Sequence, residues 1–340
     1  MRQSWVGNCD NQFYYFCFMI TVSILALRNS LLASISDSRY VFEMVNEFLK
    51  QSGKPPLFTI QLVGLMEEVT LNNGLFTIKP DVLVKNVKQT DLIIIPALTG
   101  DVLTATGVNQ SFAPWIAQQY KNGSEVASLC VGAFLMAFSG ILKGKQCTTH
   151  WAYANEFRYI YPSVQLVEEK VVTDQNGVYS SGGSNAYWNL LLYLVEKYTN
   201  REIAIRTAKY FVIDLDRHKQ SPFVVFSGLK DHEDEVIKNA QEYIEVHYQE
   251  KLNVDDIAKR FNVTRRTFER RFKKATYITV AEYIQRVKIE AAKKQFEMGR
   301  KSITEVMLDV GYSDTQTFRD IFKRITDMTP VEYRNKYRGF

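Results

Sequence analysis

The sequence predicts an α/β domain built on a mostly parallel sheet, followed by an all-α domain that carries two helix-turn-helix motifs. Up to about residue 200, short apolar runs alternate with helical patterns, as in a parallel sheet covered by helices on both faces. After about residue 235 every pattern is helical. The chain has 340 residues, which is too many for one ordinary core. We expect the first domain at residues 21–225, a linker at 226–234 and the second domain at 235–340.

Four apolar runs indicate the strands of the sheet. The strands are expected at residues 21–27, 58–63, 91–96 and 125–129. The clearest helices are expected at residues 36–50, 132–142 and 184–198. A doubly covered sheet of this kind is flavodoxin-like, and its ligand site lies beyond the carboxyl ends of the strands.

The start of the chain is strongly apolar. From Asn11 to Leu27 there are 17 residues without a charge, short of the ~20 that a membrane-spanning helix needs. Arg2 precedes the run, so an export or anchor signal is the alternative interpretation. We favour a buried first strand at residues 21–27, preceded by an atypical apolar leader at 1–20, and we expect no membrane partner.

The cysteine spacing and the charge distribution limit the classes of function that the chain can have. The four cysteines show no paired C-x-x-C spacing, so we expect neither a metal site nor a disulfide framework, and a reducing cytoplasm as the location. Residues 235–340 contain 22 basic and 16 acidic residues, whereas the remainder of the chain contains 20 and 21. A basic end on a neutral body indicates that only this end meets a polyanion.

The first helix-turn-helix unit begins with a short helix at residues 254–261. Asn253 and Asp256 have the spacing of a capping box at its start. After a two-residue turn, Thr264 is a good N-cap for a second helix at residues 265–275. In this arrangement the second helix is the one that enters the major groove of DNA.

The same pattern recurs closer to the end of the chain. Ser302 and Glu305 have the spacing of a second capping box, and Gly311 suits the left-handed position after the helix they open. Ser313 is expected to cap a second recognition helix at residues 314–325. The two recognition helices begin 49 residues apart, at Arg265 and Asp314.

A single long helix, expected at residues 280–298, separates the two units. Its length is roughly 28 Å at 1.5 Å per residue. Successive major-groove faces of B-DNA are roughly 34 Å apart. One monomer can therefore place two helices in neighbouring major grooves.

Both recognition helices are amphipathic, with two phenylalanines four residues apart on the inner side of each. These core residues are Phe268, Phe272, Phe318 and Phe322. The outward faces carry polar and basic side chains, namely Arg265, Arg266, Glu269, Arg270, Lys273, Thr315, Gln316, Arg319 and Lys323.

Several stretches of the second domain carry a specific family resemblance. They include Leu252-Asn-Val-Asp-Asp-Ile-Ala-Lys-Arg-Phe, Arg266-Thr-Phe-Glu-Arg-Arg-Phe-Lys-Lys, Asp309-Val-Gly-Tyr-Ser-Asp and Thr329-Pro-Val-Glu-Tyr-Arg334. Over about residues 235–338 the chain closely resembles the DNA-binding domain of the AraC/XylS family. The resemblance implies double-stranded DNA, at an operator or promoter, as a partner, and contact with RNA polymerase.

The resemblance also implies a set of DNA-contacting residues on the two outward faces. Together with Arg265, which shares the first face, the set is Arg265, Arg266, Glu269, Arg270, Thr315, Gln316, Arg319 and Asp320. The acid at Asp320 departs from the polar or basic residue often found at that position. Either it reads cytosine or the second helix contacts DNA weakly.

A cysteine of the first domain has the setting of a nucleophile elbow. Cys130 lies between a strand and a helix in Ser128-Leu-Cys-Val-Gly132, a spacing that permits a sharp turn and would expose the thiol. A helix N-terminus directly after it would lower the pKa of the thiol. Thr148-Thr-His-Trp151 ends another candidate strand.

These stretches resemble a second family. Ala127-Ser-Leu-Cys-Val-Gly-Ala-Phe-Leu, Thr148-Thr-His-Trp, Ser180-Ser-Gly-Gly and Gln220-Ser-Pro-Phe are similar to the ThiJ/PfpI (class I glutamine amidotransferase-like) superfamily, over about residues 21–225. With the AraC-type end, the whole chain resembles regulators of the GlxA type. The resemblance implies a small-molecule effector on the first domain and a homodimer formed through it, and it implies no cofactor.

Cys130 lacks the partners of a catalytic thiol. Hydrolases of the superfamily place His directly after the cysteine, where this chain has Val131. Other members use an acid from the loop after the first strand, and Arg28 to Leu32 contains none. We therefore expect no catalytic residue, and a ligand pocket at Cys130, Thr149 and His150. Two alternatives are a cysteine hydrolase with a DNA-binding appendage and a first domain that serves only for dimerisation.

Overall fold

A mostly parallel sheet forms the centre of the first domain. The structure, a computed structural model, describes residues 19–215, 219–299 and 301–338. The strands are β1 Ile20–Leu25, β2 Phe58–Gly64, β3 Val69–Leu71, β4 Phe76–Ile78, β5 Val82–Leu83, β6 Leu92–Ile95, β7 Glu125–Ser128, β8 Gln146–Cys147, β9 Gln165–Leu166, β10 Val172–Gln175 and β11 Val178–Ser181. Among these residues the main sheet has the order β10-β11-β7-β6-β1-β2-β5, and β10–β11 is its antiparallel pair. The predicted α/β fold class is confirmed.

The predicted first strand is confirmed as β1, which begins one residue earlier than expected and ends at Leu25. It pairs in parallel with β2 and β6 at the middle of the sheet. The expected leader lies almost entirely outside the described residues. In the part of the chain that the structure describes, no helix combines the length and the apolar character that a bilayer span requires.

Helices cover both faces of the sheet. They are α1 Leu32–Gln51, α2 Val102–Val108, α3 Ala113–Lys121, α4 Ala133–Phe138, α5 Ala154–Ile160, α6 Ala186–Tyr198 and α7 Arg201–Phe211. One core, with Ile24 and Ile94 from the sheet, packs under α1, α6 and α7. The other, with Ile93 and Phe134, packs under α2 to α5. Successive residues of β6 enter opposite cores, which explains why its sequence is apolar throughout.

Two helices of this domain differ from the prediction. α1 begins a turn earlier than expected, because its N-cap, Leu31, offers no side-chain cap that the sequence would reveal. The helix expected at residues 132–142 is shorter. It consists of a 3₁₀ turn at Cys130–Gly132 followed by α4, which ends at Phe138.

The second domain is entirely helical in the residues that are described. Its helices are α8 Glu235–Val246, α9 Val254–Arg260, α10 Arg265–Thr276, α11 Val280–Glu297, α12 Ile303–Asp309, α13 Thr315–Thr326 and α14 Pro330–Tyr337. Two separate cores lie along α11. The first contains Phe268 and Phe272 of α10, and the second contains Phe318 and Phe322 of α13. All four phenylalanines are fully buried, as the helical spacing predicts.

The predicted caps are confirmed in part. Ser302 and Glu305 form a reciprocal capping box at α12, and Thr264 caps α10. The predicted capping box at Asn253 is wrong, because its side chain accepts from the N–H of Asp255, two residues on. Ser313 is not the cap of the second recognition helix. Asp314 caps it instead, accepting from the N–H of Thr317 at 2.7 Å, so α13 begins at Thr315.

Candidate functional site

The outward face of α10 is polar, basic and exposed. Arg265, Arg266, Glu269 and Arg270 are all exposed there, opposite the buried Phe268. Arg265 is held by two acids of its own domain, with Nη1 2.9 Å from Asp255 Oδ2 and Nε 3.1 Å from Glu269 Oε1. Within the described residues, neither Arg266 nor Arg270 has an ion pair. Their guanidinium groups are therefore available to an external acceptor.

The outward face of α13 has a different character. The predicted contact residues Thr315, Gln316, Arg319 and Asp320 are exposed side by side. Gln316 Nε2 donates to Asp320 Oδ1 at 2.9 Å, one helical turn away. This hydrogen bond satisfies part of the acid and leaves the Gln316 carbonyl oxygen free to accept, so the face offers both donors and acceptors rather than a concentrated positive charge.

A buried lysine joins the loop before the first helix-turn-helix unit to the second unit. Lys288, in the middle of α11, donates from Nζ to the carbonyl oxygens of Gly311 at 3.2 Å and Glu250 at 3.3 Å. Burial lowers the pKa of this ammonium group. Gly311 has a φ of +76°, and a Cβ there would lie 2.2 Å from the carbonyl oxygen of Gln249. The sequence contained one signal of this contact, a lysine on a buried face of α11.

In the first domain, Cys130 lies at the carboxyl end of β7 in a sharp turn. Its φ is +54°, in the left-handed region. A Cβ on Gly132 would lie 2.5 Å from the carbonyl oxygen of Pro96, so glycine is required for this close approach. The Cys130 N–H donates to Ser181 Oγ at 3.0 Å, and its carbonyl oxygen accepts from Thr149 Oγ1 at 3.1 Å. The predicted elbow is present.

The predicted exposure and acidity of the thiol are wrong. Cys130 is only 5% exposed, and burial raises the pKa of its thiol to about 12. The elbow continues into a single 3₁₀ turn and the short α4. We attribute the neutral thiol to desolvation, which here outweighs whatever stabilisation so short a helix gives to a thiolate.

His150 is half-buried and has a local structural hydrogen bond. Its Nδ1 accepts from the N–H of Ala152 at 3.1 Å, and its ring contacts Trp151 and Tyr153. Burial lowers the pKa of the imidazole, which favours the neutral form. Within the described residues no hydrogen bond joins His150 to Cys130. The structure thus brings Cys130 and Thr149 into contact but does not pair the thiol with a base.

Sequence reasoning missed a buried glutamine at this edge. Gln220 is only 3% exposed, and its Oε1 accepts from the N–H of Gly183 at 2.9 Å. Its Nε2 donates to the carbonyl oxygen of Thr149 at 3.0 Å and also reaches that of Glu168. A Cβ on Gly183 would lie 3.2 Å from the His150 ring. Gln220-Ser-Pro-Phe supports the family resemblance, but nothing in the sequence shows where its side chain lies.

Two known families match separate parts of the chain. Residues 257–336 match the helix-turn-helix domain family, and residues 43–197 match the DJ-1/PfpI family. The regulatory protein SoxS of Salmonella typhimurium is 30% identical over 102 residues, which cover 30% of this chain and 95% of SoxS. The chain belongs to the AraC/XylS family of transcriptional regulators. This confirms the family and the regulatory function that the sequence predicts.

The similarity to other AraC/XylS-type regulators extends over both domains. The HTH-type transcriptional regulator GbdR of Pseudomonas aeruginosa is 24% identical over 320 residues, which cover 92% of this chain and 84% of GbdR. A crystal structure of a transcriptional regulator protein from Vibrio parahaemolyticus is 22% identical, with a TM-score of 0.51, and covers 56% of this chain and 98% of that one. That structural likeness shows the fold. Gln220 of this AraC/XylS-family chain lies outside both matched ranges, after the DJ-1/PfpI match ends at residue 197 and before the helix-turn-helix match begins at residue 257.

Proposed function

We propose that this AraC/XylS-family regulator binds its operator with α10 and α13 in neighbouring major grooves, and that a small effector on the first domain controls this binding without being turned over. The observation that carries the proposal is the pair of exposed polar faces on two recognition helices that pack against one continuous helix, α11. α11 has 18 residues, or roughly 27 Å, against the roughly 34 Å that separates major-groove faces.

Arg266 and Arg270 are the strongest candidates for base contacts. They lie four residues apart on the exposed face of α10 and have no internal ion pair among the described residues. A bidentate contact between arginine and guanine contributes ~1–3 kcal/mol of discrimination. Arg265 is already bound to Asp255, so we assign it to the edge of the contact. Glu269 can accept from a cytosine amino group.

α13 contributes a second, less basic contact. Its proposed DNA-contacting residues are Thr315, Gln316, Arg319 and Asp320. Hydrogen bonding between Gln316 and Asp320 holds their side chains in one arrangement before DNA arrives. A glutamine can pair with adenine and an acid with cytosine, so this helix adds selectivity more than electrostatic affinity.

The effector site is proposed at the carboxyl edge of the sheet, around Cys130, Thr149 and His150. Parallel sheets bind ligands at this edge, and buried hydrogen-bonding groups of the chain converge there. Binding without turnover is supported by the Cys130 thiol, whose pKa of about 12 leaves it protonated at neutral pH, since the thiolate is the nucleophilic form.

Three further features belong to the proposal. We propose a homodimer through the first domain, supported by the exposed aromatic pair Tyr40 and Tyr210 on α1 and α7. We propose RNA polymerase as a partner and the cytoplasm as the location, on the grounds that a DNA-binding regulator acts where transcription takes place.

Recovering genomic fragments on the purified regulator and sequencing them tests the proposal. The expected result is one enriched motif with two half-sites about one helical turn apart. Fragments without any shared motif would contradict sequence-specific reading by two helices.

A further inference from the structure

The side chain of Gln220 is buried in the first domain and is hydrogen-bonded there as a bound ligand would be. It belongs to residues 219–229, here named the connecting segment, which leads from the first domain to the second. Lys219 forms a β-bridge with Lys170, and the Gln220 N–H donates to the carbonyl oxygen of Glu169 at 2.9 Å. The backbone thus holds the Gln220 side chain beside Thr149 in a buried polar site, here named the cavity, which the side chain itself fills.

The hydrogen-bonding groups of this cavity match a primary amide. One wall supplies a single donor, the N–H of Gly183, which meets Oε1. The opposite wall supplies acceptors to Nε2, namely the carbonyl oxygens of Thr149, Glu168 and Lys170 and the hydroxyl of Thr148. A carboxylate on the second wall would face three carbonyl oxygens and a Thr148 hydroxyl that already donates to the carbonyl oxygen of Lys170. An ammonium group could not accept from the Gly183 N–H on the first wall.

Glycines shape the cavity for this group. A Cβ on Gly182 would lie 2.7 Å from Gln220 Oε1, so a side chain there would require the Gln220 amide to move. A Cβ on Gly183 would lie 3.2 Å from the His150 ring and 3.4 Å from Gln220 Oε1. The Gln220 amide and the His150 ring therefore both lie close to Gly183, next to the proposed effector site.

The other end of the connecting segment is fixed to the DNA-binding domain. The carbonyl oxygen of Val224 accepts from Lys293 Nζ at 2.5 Å, and the N–H of Phe226 donates to Glu290 Oε2 at 3.2 Å. Lys293 and Glu290 are buried on α11 and lie 2.7 Å apart. The Phe226 ring packs edge-on against Tyr283, with centroids 5.2 Å apart.

These contacts lead directly to the recognition helix. Tyr283 packs against Phe272 of α10, with centroids 5.2 Å apart. A second contact runs parallel to the segment, because Glu168, whose carbonyl oxygen meets Gln220, places its carboxylate 3.7 Å from Arg286 of α11. Gln220 is only six residues from Phe226. Release of the Gln220 side chain from the first domain would therefore free the connecting segment close to its contacts with the second domain.

We infer that Gln220 is a built-in ligand of the effector site, and that the effector carries a primary carboxamide, or a group with the same one acceptor and two donors, that displaces it. The inference rests on the proposed effector control of DNA binding. Displacement detaches the connecting segment from the first domain and alters how the two domains are held. The effector acts through its differential affinity for the two arrangements.

Hydrogen exchange of the full chain, read by mass spectrometry, tests the displacement. Gln220→Ala is expected to raise exchange at residues 219–226 about tenfold or more, because it removes the buried hydrogen bonds that hold the segment. Gln119→Ala is the matched control. Gln119 is equally buried, at 3% exposed, and bonds to backbone groups of Thr90 and Lys88 in the same domain, away from the segment.

Acetamide is the probe of the cavity. In Gln220→Ala, excess acetamide is expected to restore protection of the Gly183 amide, and in the wild type it is expected to raise exchange of residues 219–226. N,N-dimethylacetamide keeps the acceptor but has no N–H, so it should do neither. Gln220→Glu keeps the shape of the side chain and should also release the segment, which covers the case in which the alanine variant fails to fold.

Unchanged exchange of the segment in both Gln220 variants, or equal effects of the two amides, would overturn the inference. Operator affinity is measured separately on the same proteins. Both Gln220 variants should shift it in the direction in which acetamide shifts the wild type, and Gln119→Ala should not. A released segment without any shift in affinity would overturn the regulatory part. Failure of the wild type to bind any operator would instead contradict the proposed function, while leaving the exchange result readable.

Discussion

Arg265 Nη1 lies 2.9 Å from Asp255 Oδ2, so the first residue of α10 is held by an acid of the preceding helix. Arg270, five residues further along α10, has no such partner among the described residues. Two exposed arginines of the same helix thus differ in what they can offer DNA. The first must give up internal contacts before it binds, whereas the second is already free to do so.

Arg270→Ala is expected to weaken operator binding roughly tenfold or more, since a bidentate arginine–guanine contact contributes ~1–3 kcal/mol. Arg265→Ala should have a smaller effect on specificity. Titration against the operator and a single-base variant of it measures both. Lys294→Ala, at an exposed position of α11, is the matched control for lost charge. Equal losses for Arg270→Ala and Lys294→Ala would show that α10 does not read bases.

Operator affinity should fall steeply with salt, because phosphate neutralisation releases counterions. The log–log slope is expected to be about −0.9 for each phosphate neutralised. Arg319→Ala and Arg266→Ala should each reduce the magnitude of the slope by at most about 0.9, the value of one phosphate contact. The two substitutions should alter sequence preference in different half-sites. A slope near zero would contradict direct DNA binding by the basic domain.

Lys288→Met is expected to lower the free energy of unfolding by about 1–3 kcal/mol, because the buried carbonyl oxygens of Gly311 and Glu250 lose their donor. Chemical denaturation of the full chain measures the loss. Lys294→Met, which changes an exposed lysine of the same helix, should have little effect. If the two substitutions are equally mild, the bonds of Lys288 to Glu250 and Gly311 do not contribute to stability.

The Cys130 thiol should be unreactive at neutral pH and should make stability depend on alkaline pH. Its pKa is about 12 in the folded chain against 9.0 for a free thiol, so the folded state retains the proton when the unfolded state has lost it. The contribution of this thiol to the stability of the folded state is therefore fully present below about pH 9, and it is lost progressively as the pH rises towards 12.

Comparing wild type with Cys130→Ala in denaturation experiments isolates this contribution. The difference in unfolding free energy should be constant below pH 9 and should change in favour of the variant as the pH rises. Alkylation of Cys130 by iodoacetamide, resolved by peptide mass spectrometry, should be slow in the folded chain. Rapid alkylation at neutral pH would show an accessible thiolate and would reopen the hydrolase alternative.

The sequence predicted the DNA-binding domain better than the effector site, for a physical reason. The inner residues of α10 and α13 follow helical periodicity, so Phe268 and Phe318 were placed correctly by local pattern alone. The caps were harder, since Ser313 and Asp314 are adjacent and both can cap a helix. Only the hydrogen bond to Thr317 decides between them.

The site in the first domain depends on contacts between distant residues. The elbow at Cys130 is local and was predicted, but its burial depends on the packing around it. Gln220 reaches Thr149 across 71 positions of the chain and Gly183 across 37. No spacing rule connects residues so far apart, so the sequence left the main polar occupant of this edge unassigned.

The two cores of the DNA-binding domain share α11 and little else. Phe272 packs into one of them and Phe322 into the other. Substitutions on the outward face of one recognition helix therefore leave the packing of the other intact. Over evolutionary time, one half of the operator can diverge and be matched by its helix while the other half holds the protein on the DNA, so new target genes can be acquired one half-site at a time.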